Sequence, residues 1–358
     1  MNPSFWKNKR VFVTGHTGFK GSWMTLWLQS LGAQVTGYAL DPLTSPNMFE
    51  EAKVGQGITS IIGDVRDFTT LHQALRESAP EIVFHMAAQP LVRYSYENPI
   101  ETYSTNVMGT VNILEVIKTV SSVEVFVNIT TDKVYENKEW EWAYRENEGL
   151  GGNDPYSSSK ACSELVTSAY HASFFSSQGN RKVSIATARA GNVIGGGDWS
   201  KDRLVPDIIR SILSIEPIQI RNPDSIRPWQ HVLEPIRGYL TLAEKLYCEG
   251  EKYNGAWNFG PNELDARPVK WIVDNLIDFF GYEKGWVMQS GNHPHEANYL
   301  KLDISKAHAK LNWHPLLSLN EGLKLVGEWA QKYQNGENIR NVTLDMIHKY
   351  QSQLENKI

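Results

Sequence analysis

A glycine-rich turn between an apolar run and a helical pattern constrains the fold of this chain most strongly. Residues 9–14, KRVFVT, have an apolar centre at residues 11–13. Gly15, Gly18 and Gly21 follow at once, and apolar residues then recur at helical spacing up to Gly32. The pattern predicts a buried strand, a tight turn and an amphipathic helix. Gly15 would permit the turn, Gly18 would let the backbone approach a phosphate, and Gly21 would let the helix pack closely on the strand. Because a helix N-terminus favours a bound phosphate, the segment predicts a dinucleotide-binding turn.

The second predicted strand, residues 34–40, ends at an acidic residue, Asp41. Asp41 comes about 20 residues after Gly21, the last glycine of the turn, where a carboxylate can accept hydrogen bonds from the adenosine ribose hydroxyls. The negative charge would repel a 2′-phosphate, so the sequence favours NAD over NADP. The alternative is that Asp41 is only a turn residue before Pro42.

Apolar segments alternate with helical patterns along the first half of the chain. Further strands are predicted at residues 58–62, 81–88, 123–130 and 183–188, with helices between them. This alternation predicts an α/β protein with a doubly wound parallel sheet of the Rossmann type. Asp64 and Val65 follow the third strand as a predicted adenine contact. Ala87 and Ala88, at the end of the fourth strand, would let a cofactor lie across the sheet edge.

The pattern changes after residue 188, where loops rich in Pro and Arg separate shorter helices. These helices are predicted at residues 204–213, 235–249, 269–280 and 319–333. We therefore expect residues 1–188 to form the NAD-binding domain, with segments around 225–260 returning to it. Residues 189–358 would form mainly a smaller, mixed α/β lobe that binds the substrate.

The strand predicted at residues 123–130 is followed directly by three polar side chains. The strand is nearly all apolar or β-branched, which is typical of a central strand buried on both faces. Thr131, Asp132 and Lys133 come next. In an open α/β sheet, ligands bind beyond the carboxyl ends of the strands. We therefore expect these side chains to face the site, although Asp-Lys after a strand is often only a turn.

A helix that carries a tyrosine and a lysine is predicted to begin at Pro155. Proline is favoured in the first turn, and Asn153 or Asp154 would cap the helix. Tyr156 and Lys160 are four residues apart and share one helix face. Such a pair is usually an ordinary surface pair, so a catalytic interpretation depends on the site around it.

Composition and charge exclude several classes of protein. A net charge of −5 gives no support for nucleic acid as a partner. No apolar run is long enough to cross a bilayer, and the first residues lack the apolar core of a signal peptide. With only Cys162 and Cys248, no disulfide framework is expected, and a cytoplasmic location fits best. His293 and His295 lack further ligands at suitable spacing, so no metal site is predicted.

Three arginines in or near loops of the second half, Arg203, Arg221 and Arg227, have the fork geometry that suits a diphosphate. Any one of them alone would more often be a surface charge. Together they predict a substrate that carries a diphosphate.

Four segments and the Tyr156-x-x-x-Lys160 pair carry a resemblance to a known family. The segments are residues 14–21, 85–90, 106–110 and 258–261. Over nearly its whole length the chain resembles the extended short-chain dehydrogenases/reductases, the NAD-dependent epimerases and dehydratases of nucleotide sugars.

Residues 130–135, TTDKVY, resemble the nucleotide-sugar 4,6-dehydratases. The dTDP-glucose enzymes carry Asp-Glu where this chain has Asp132-Lys133. That difference, with HTGFKGSW near the start and ENKEWEW after the strand, is similar to the CDP-D-glucose 4,6-dehydratases. The resemblance implies a lyase that dehydrates CDP-D-glucose to CDP-4-keto-6-deoxy-D-glucose, for deoxysugar biosynthesis of the O-antigen type.

The resemblance also implies roles for the polar residues. Tyr156, as phenolate, would take the O4 proton while C4 gives its hydride to NAD, and Lys160 would favour the phenolate and hold the nicotinamide ribose. Thr131 would orient O4. Asp132 would be the acid toward O6, and Lys133 the base at C5. The other possibility for Lys133 is that it orients Asp132 or binds a hydroxyl.

The implied binding residues are more numerous. The predicted cofactor-binding residues are Gly15, Thr17, Gly18, Phe19, Lys20, Gly21, Asp41, Asp64, Val65, Ala87, Ala88, Gln89, Asn106, Tyr156 and Lys160. The predicted substrate-binding residues are Asn192, Arg203, Arg221, Arg227, His295 and Tyr299. A homodimer or homotetramer is expected through the long helices at residues 98–118 and 155–175. Residues 139–142 would either cap the sugar pocket or form a solvent-facing loop.

Three other functions remain open from the sequence. The chain could act on another nucleotide hexose, because the loops that recognise the base cannot be placed. A 4-epimerase would need only Tyr156, Lys160 and a hydroxyl, and would leave Asp132 and Lys133 without a role. A non-catalytic NAD-sensing protein would be expected to have lost the tyrosine or the lysine.

Overall fold

The computed structural model describes residues 1–176, 181–289 and 300–355. The strands are β1 (Arg10–Thr14), β2 (Gln34–Ala39), β3 (Thr59–Ile62), β4 (Ile82–His85), β5 (Val125–Ile129), β6 (Ser184–Arg189), β7 (Val193–Ile194), β8 (Ile218–Ile220), β9 (Ile226–Pro228), β10 (Gln230–His231), β11 (Gly255–Asn258), β12 (Ala266–Pro268) and β13 (Trp286–Met288). The α-helices are α1 (Phe19–Ser30), α2 (Met48–Glu51), α3 (Phe68–Ser78), α4 (Val92–Glu97), α5 (Pro99–Tyr103), α6 (Gly109–Thr119), α7 (Pro155–Tyr170), α8 (Leu204–Leu213), α9 (Leu233–Glu249), α10 (Val269–Phe280), α11 (Ser305–Leu311), α12 (Leu319–Gln334) and α13 (Ile339–Glu355).

Seven strands form one parallel sheet in the order β11-β6-β5-β4-β1-β2-β3. The chain reverses its direction of travel across the sheet between β1 and β4, which are neighbours although two strands separate them in sequence. At such a switch point the loops leave in opposite directions and open a crevice at the carboxyl ends of the strands. The predicted doubly wound fold is confirmed.

Two apolar cores cover the two faces of this sheet. Successive side chains of a strand point to opposite faces, and Val11 and Val13 accordingly pack with Trp27 in the larger core. Phe12, from the position between them, packs with Leu71 in the smaller core. The apolar run at residues 11–13 is thus explained by burial on both faces.

Several element boundaries differ from the sequence prediction. The strands predicted at residues 81–88 and 123–130 are shorter, because β4 ends at His85 and β5 spans Val125–Ile129. The residues beyond each strand end turn into the crevice instead of continuing the ladder. The long helix predicted at residues 98–118 is continuous but contains a π-helical turn at Ser104–Met108. A second π-helical turn, His171–Phe175, follows α7.

The second half of the chain contributes one strand to the main sheet and three small sheets beside it. β11 pairs with β6 as the seventh strand. The small sheets pair β7 with β10, β9 with β12 and β8 with β13. These strands have two or three residues each, which is too short for an alternating pattern to show in the sequence. In the described residues, no helix combines the length and the apolar content needed to cross a membrane.

A buried carboxylate holds the C-terminal segment on the main domain. Glu234 of α9 accepts hydrogen bonds from the backbone N–H groups of Leu316 and Leu317, at 2.9 and 2.7 Å, and from the Tyr350 hydroxyl at 2.7 Å. The Arg237 guanidinium lies 3.3 Å away on the same helix. Glu234 is 1% exposed, so its charge is compensated by these partners and not by water.

We predict that Glu234→Ala lowers the free energy of unfolding by about 3–5 kcal/mol. It removes the carboxylate that compensates the buried charge of Arg237 and leaves two buried N–H groups without their acceptor. Denaturant unfolding followed by circular dichroism measures the change. Glu328→Ala is the control, since Glu328 faces Lys324 at 3.9 Å in an exposed pair, and its removal should cost at most about 1 kcal/mol. Equal effects of the two substitutions would contradict the conclusion that Glu234 holds α13 on the main domain through Tyr350.

Candidate active site

A cavity of about 950 Å³ opens at the carboxyl ends of the main sheet and runs into the second half of the chain. Its volume lies at the upper end of the range for small-molecule sites. It is lined by most of the residues that the sequence singled out: Gly15, Thr17, Gly18, Phe19, Lys20, Gly21, Asp41, Asp64, Val65, Ala87, Ala88, Thr131, Asp132, Lys133, Tyr156, Lys160, Asn192, Arg203, Arg221 and Arg227. His295 and Tyr299, and with them the His293–His295 pair, lie outside the described residues.

The glycine turn forms one end of this cavity. Gly15 has φ +76°, and a Cβ there would lie 2.8 Å from the backbone nitrogen of Ala87. Gly21 is required for a different reason from the one predicted, since a Cβ on it would lie 2.1 Å from the carbonyl oxygen of Gly15. The first turn of α1 therefore closes on the glycine turn itself, and not mainly on β1. Gly18 is the N-cap residue of α1, and the first-turn residues that line the cavity have N–H groups without intrahelical partners.

The end of β2 forms the next part of the cavity wall. Asp41 lines the cavity and is exposed to solvent. Thr17 donates a hydrogen bond from its hydroxyl to the carbonyl of Leu40 at 2.8 Å, which ties the glycine turn to the strand end that carries Asp41. Asp64, beyond β3, forms an ion pair with Arg66.

Gln89 and Asn106 lie beneath the cavity and do not line it. The Asn106 side chain accepts a hydrogen bond from the Gln89 N–H at 2.8 Å and donates one to the Gln89 carbonyl at 3.1 Å. It also donates to the Ser159 hydroxyl at 2.8 Å. Both residues are buried, and neither forms part of the cavity wall. Asn106 joins the loop after β4 to α7.

The three polar residues after β5 form a compact group. The Thr131 hydroxyl donates to the Asp132 carboxylate at 2.9 Å and accepts a hydrogen bond from the Lys133 N–H at 3.3 Å. Asp132 is 3% exposed. A Cβ on Gly191 would lie 1.8 Å from the Asp132 carboxylate, so that position must be glycine for the carboxylate to hold its place. The sequence offered no signal for this requirement.

Helix α7 brings the tyrosine and the second lysine to the same group. It begins at Pro155, and the Asp154 side chain caps it by accepting a hydrogen bond from the Ser157 N–H at 2.8 Å. Tyr156 hydrogen-bonds with Thr131. Lys160 donates to the carbonyl of Ile129, the last residue of β5, at 2.9 Å. The strand end and the helix face therefore meet as predicted from the sequence.

Burial dominates the electrostatics of this pair. It raises the pKa of Tyr156 to about 12, against lowering effects from the Thr131 hydrogen bond and the Arg203 charge. Burial also lowers the pKa of Lys160 to about 8, although the charge of Glu164 acts in the opposite direction. The charge of Arg203 also lowers the pKa of Tyr156, a contribution that the sequence did not indicate.

A buried ion pair behind the site was not predicted. Glu164 of α7 and Arg189 of β6 pair with their side chains 3% exposed. Glu164 also accepts hydrogen bonds from Thr130 at 2.5 Å and Thr187 at 3.1 Å. Arg189 donates to the Tyr135 hydroxyl at 2.6 Å. The sequence did contain one indication of this pair. Glu164 is four residues after Lys160 and therefore lies on the same face of the helix, which packs on the sheet.

The arginines of the second half have separate partners. Arg203 pairs with Asp198 at 2.9 Å, and its charge lowers the pKa of Tyr156. Arg221 lies 3.4 Å from Asp202, on another part of the wall. Asn192 has φ +48° in the loop that leads away from β6.

Residues 139–142, in the loop after β5, have features of both alternatives, a cap on the pocket and a solvent-facing loop. Trp140 is half-buried and packs on Tyr144, with ring centroids 5.4 Å apart. Trp142 is 70% exposed. Glu139 and Asn137 of the same loop line the cavity, so this loop contributes to its wall. Within the described ranges, no group of three or more His, Cys, Asp or Glu residues is placed to hold a metal ion.

Comparison with solved structures supports the fold. A dTDP-glucose 4,6-dehydratase from Streptomyces venezuelae, DesIV, superposes with a TM-score of 0.77 at 22% identity, covering 91% of this chain and 98% of that chain. A UDP-glucose 4-epimerase from Thermotoga maritima superposes with a TM-score of 0.78 at 24% identity, covering 90% and 99%. At these identities the likeness establishes the fold alone.

Comparison of sequences establishes the family. Residues 12–326 match the family model described as GDP-mannose 4,6 dehydratase. A CDP-glucose 4,6-dehydratase of Salmonella typhimurium is 54% identical over 98% of this chain and 99% of its own length. A UDP-glucuronic acid decarboxylase of Arabidopsis thaliana is 27% identical over 92% of this chain and 72% of its own length. The chain belongs to the GDP-mannose 4,6-dehydratase family, within the extended short-chain dehydrogenases/reductases.

Proposed function

We propose that this protein is an NAD-dependent lyase that converts CDP-D-glucose to CDP-4-keto-6-deoxy-D-glucose. The observation that carries the proposal is the 54% identity to a CDP-glucose 4,6-dehydratase across nearly the whole of both chains. The residues that the reaction requires lie together in one cavity of sufficient volume. An epimerase would use the tyrosine and its hydroxyl partner, but would give no role to the buried Asp132.

The residues present fit NAD at the sheet edge. A Cβ on Gly15 or Gly21 would clash with neighbouring backbone, so the turn keeps its concave backbone surface free of side chains. Asp41 lies at the end of β2, where a carboxylate would hold the adenosine ribose. Lys160 lines the same cavity and would hold the second ribose. When bound there, NAD would supply the acceptor for the C4 hydride and the donor of that hydride to C6.

The first proton transfer is assigned to Tyr156 with Thr131. The Thr131 hydroxyl hydrogen-bonds with the phenol, so both groups can contact the O4 hydroxyl of one sugar. Burial raises the pKa of Tyr156 to about 12, and ionisation therefore depends on the groups that oppose burial. In the chain itself these groups are Thr131 and Arg203. Tyr156 would take the O4 proton as C4 is oxidised.

The elimination is assigned to Asp132 and Lys133. Oxidation at C4 makes the C5 proton acidic, so a base at C5 and an acid at O6 can expel the 6-hydroxyl as water. Asp132 accepts a hydrogen bond from the Thr131 hydroxyl at 2.9 Å, which supports its assignment as the acid, next to the residue that would orient O4. Lys133 follows it in a single 3₁₀ turn, Asp132–Val134, and its half-buried side chain lines the cavity. We assign it as the base.

Substrate recognition is assigned to the second half of the chain. Residues 189–358 would form mainly the substrate lobe, and residues 1–188 with β11 the cofactor domain. Asn192, Arg203, Arg221 and Arg227 would hold the nucleotide diphosphate, and His295 and Tyr299 complete the proposed set. The three arginines and Asn192 line the same cavity as the glycine turn, which supports this division.

The biological setting follows from the product. A 4-keto-6-deoxy sugar nucleotide is a precursor for deoxysugars, and we propose an O-antigen type of pathway in the cytoplasm. A homodimer or homotetramer is proposed through α5, α6 and α7. The exposed apolar side chains Ile100 and Leu165 on these helices support such an interface.

A panel of CDP-, dTDP-, UDP- and GDP-hexoses, incubated with the protein and NAD, tests the substrate assignment. We expect CDP-glucose to be turned over fastest, with a product that has lost one water by mass spectrometry. CDP-galactose of unchanged mass would establish an epimerase instead. Preference for another nucleotide would retain the reaction type and overturn the assignment of the base.

We predict that Gly191→Ala slows dehydration by about 10²-fold or more, because the added methyl group occupies the position of the Asp132 carboxylate. NAD binding, measured by fluorescence titration, should be unchanged. Gly149→Ala is the matched control, since a Cβ there would lie 3.5 Å from its nearest neighbour, the Glu136 carboxylate. Full activity in Gly191→Ala would mean that the position of Asp132 is not critical.

We predict that Lys133→Glu lowers turnover by about 10²-fold or more, because it replaces the proposed base with an acid beside Asp132. The dissociation constant for NAD should change little. Lys324→Glu, at a side chain 69% exposed, controls for the change in net charge. A Lys133→Glu variant as active as the wild type would remove Lys133 from the mechanism.

A further inference from the structure

One carboxylate lies between two arginines that come from different halves of the chain. Arg93 is in the first turn of α4, in the first half, and Arg221 follows β8 in the second half. The Asp202 carboxylate, in the loop before α8, lies 3.4 Å from a guanidinium nitrogen of each. Both arginines donate to the same oxygen atom, Oδ1. A single anion can therefore contact both arginines at once.

All three of these residues line the cavity. Arg221 belongs to the proposed diphosphate-binding set, whereas nothing in the sequence singled out Arg93. Because one carboxylate oxygen contacts both guanidinium groups, Arg93 is as close as Arg221 to the anion between them. Arginine stays protonated in proteins. The two side chains therefore form a permanently cationic site that spans the cavity wall from α4 to β8.

The contacts of Asp202 are weak enough to exchange for those of a ligand. Its side chain is 49% exposed, and ion pairs in contact with solvent contribute little to stability. A distance of 3.4 Å is also long for a charge-assisted hydrogen bond, for which about 2.7–2.9 Å is usual. A diphosphate carries more negative charge and more acceptor oxygens than a carboxylate, and the guanidinium fork matches phosphate geometry. A diphosphate is therefore the stronger ligand for the two arginines.

The loop that carries Asp202 is held in place without this side chain. Arg210 of α8 donates to the backbone carbonyls of Trp199 and Ser200, at 2.7 and 3.1 Å. The Asp198 carboxylate accepts a hydrogen bond from the Ser200 N–H at 3.1 Å. Asp202 has φ +60°, a left-handed conformation that Asp and Asn adopt more readily than most residues. Asparagine at this position would thus remove the charge and keep the backbone conformation.

We propose that Arg93 is a further diphosphate-binding residue and that the Asp202 carboxylate competes with the substrate diphosphate for Arg93 and Arg221. When the diphosphate binds, it takes the place of the carboxylate and contacts the α4 side and the β8 side of the cavity together. Because the product carries the same diphosphate, the competition lowers the affinity for substrate and product alike and favours product release. The inference rests on the proposed nucleotide-sugar substrate.

Asp202→Asn tests the competition, because a competing carboxylate and a merely structural one predict different changes in affinity. Calorimetric titration with CDP, at saturating NAD, measures the dissociation constant. We expect Asp202→Asn to bind CDP about 3- to 10-fold more tightly than the wild type, since the substitution removes the ion pairs that compete with the ligand. Loss of a carboxylate that only stabilises the cavity wall would weaken binding or leave it unchanged. Either of these results overturns the inference.

Arg93→Met tests the new binding residue. We expect CDP to bind about 10-fold or more weakly, because a charged hydrogen-bond donor is lost, with the affinity for NAD unchanged. Arg93→Lys keeps the charge without the fork and should have an intermediate affinity. Asp202→Asn should tighten CDP binding less in the Arg93→Met background than in the wild type, because Asp202 then competes for Arg221 alone. An equal gain in both backgrounds would exclude Arg93 from the site and overturn the inference.

The control for charge is Asp224→Asn. It removes the same charge three residues after Arg221, from an exposed pair with Lys270 at 2.7 Å, and should leave the CDP affinity within about twofold of wild type. A gain equal to that of Asp202→Asn would make the effect one of net charge and overturn the inference.

The choice of nucleotide separates this inference from the proposed function. A wild type that binds dTDP, UDP or GDP more tightly than CDP would show that the proposed base is wrong, and the same variants titrated with the preferred nucleotide then test the competition. If the wild type binds none of the four nucleoside diphosphates, both the inference and the proposed function are overturned.

Discussion

The buried ion pair between Glu164 and Arg189 holds α7, the helix that carries Tyr156 and Lys160, against the sheet, and the geometry of the site depends on it. Removing two charges from water is costly unless their hydrogen-bonding capacity is used. Here the Glu164 carboxylate accepts from Thr130 and Thr187 as well as from Arg189. Arg189 in turn donates to the hydroxyl of Tyr135, which follows Thr131, Asp132 and Lys133 in the chain. These bonds join α7, β5 and β6 at the level where Thr131 and Asp132 leave the strand.

Once the helix is fixed, burial decides how the catalytic groups ionise. Withdrawal from water raises the pKa of Tyr156 to about 12 and lowers those of Lys160 and Lys20 to about 8 and about 7. Each of these shifts favours the neutral form. Neighbouring groups oppose these shifts. The Thr131 hydroxyl and the Arg203 guanidinium lower the pKa of Tyr156, whereas Glu164 raises that of Lys160 and Asp132 raises that of Lys20. The site therefore holds several groups that can exchange protons at moderate pH.

The sequence predicted the features that local patterns encode. The glycine turn, the strand before Thr131 and the i, i+4 pair on α7 depend on residues close together in the chain, and the structure brings them to one cavity. It did not predict the contacts made by residues distant in sequence, such as Arg189 with Glu164, or the fit of Asp132 against Gly191. Such contacts follow from packing. The small sheets were missed because their strands have only two or three residues.

The central claim is that one hydride leaves C4 and returns to C6 of the same sugar while water is lost between the two events. Incubation of CDP-glucose carrying deuterium at C4, with NMR of the product, measures this directly. The account predicts that the deuterium appears in the new methyl group at C6 of a product that has lost one water. Deuterium retained at C4, or lost to solvent, would contradict it.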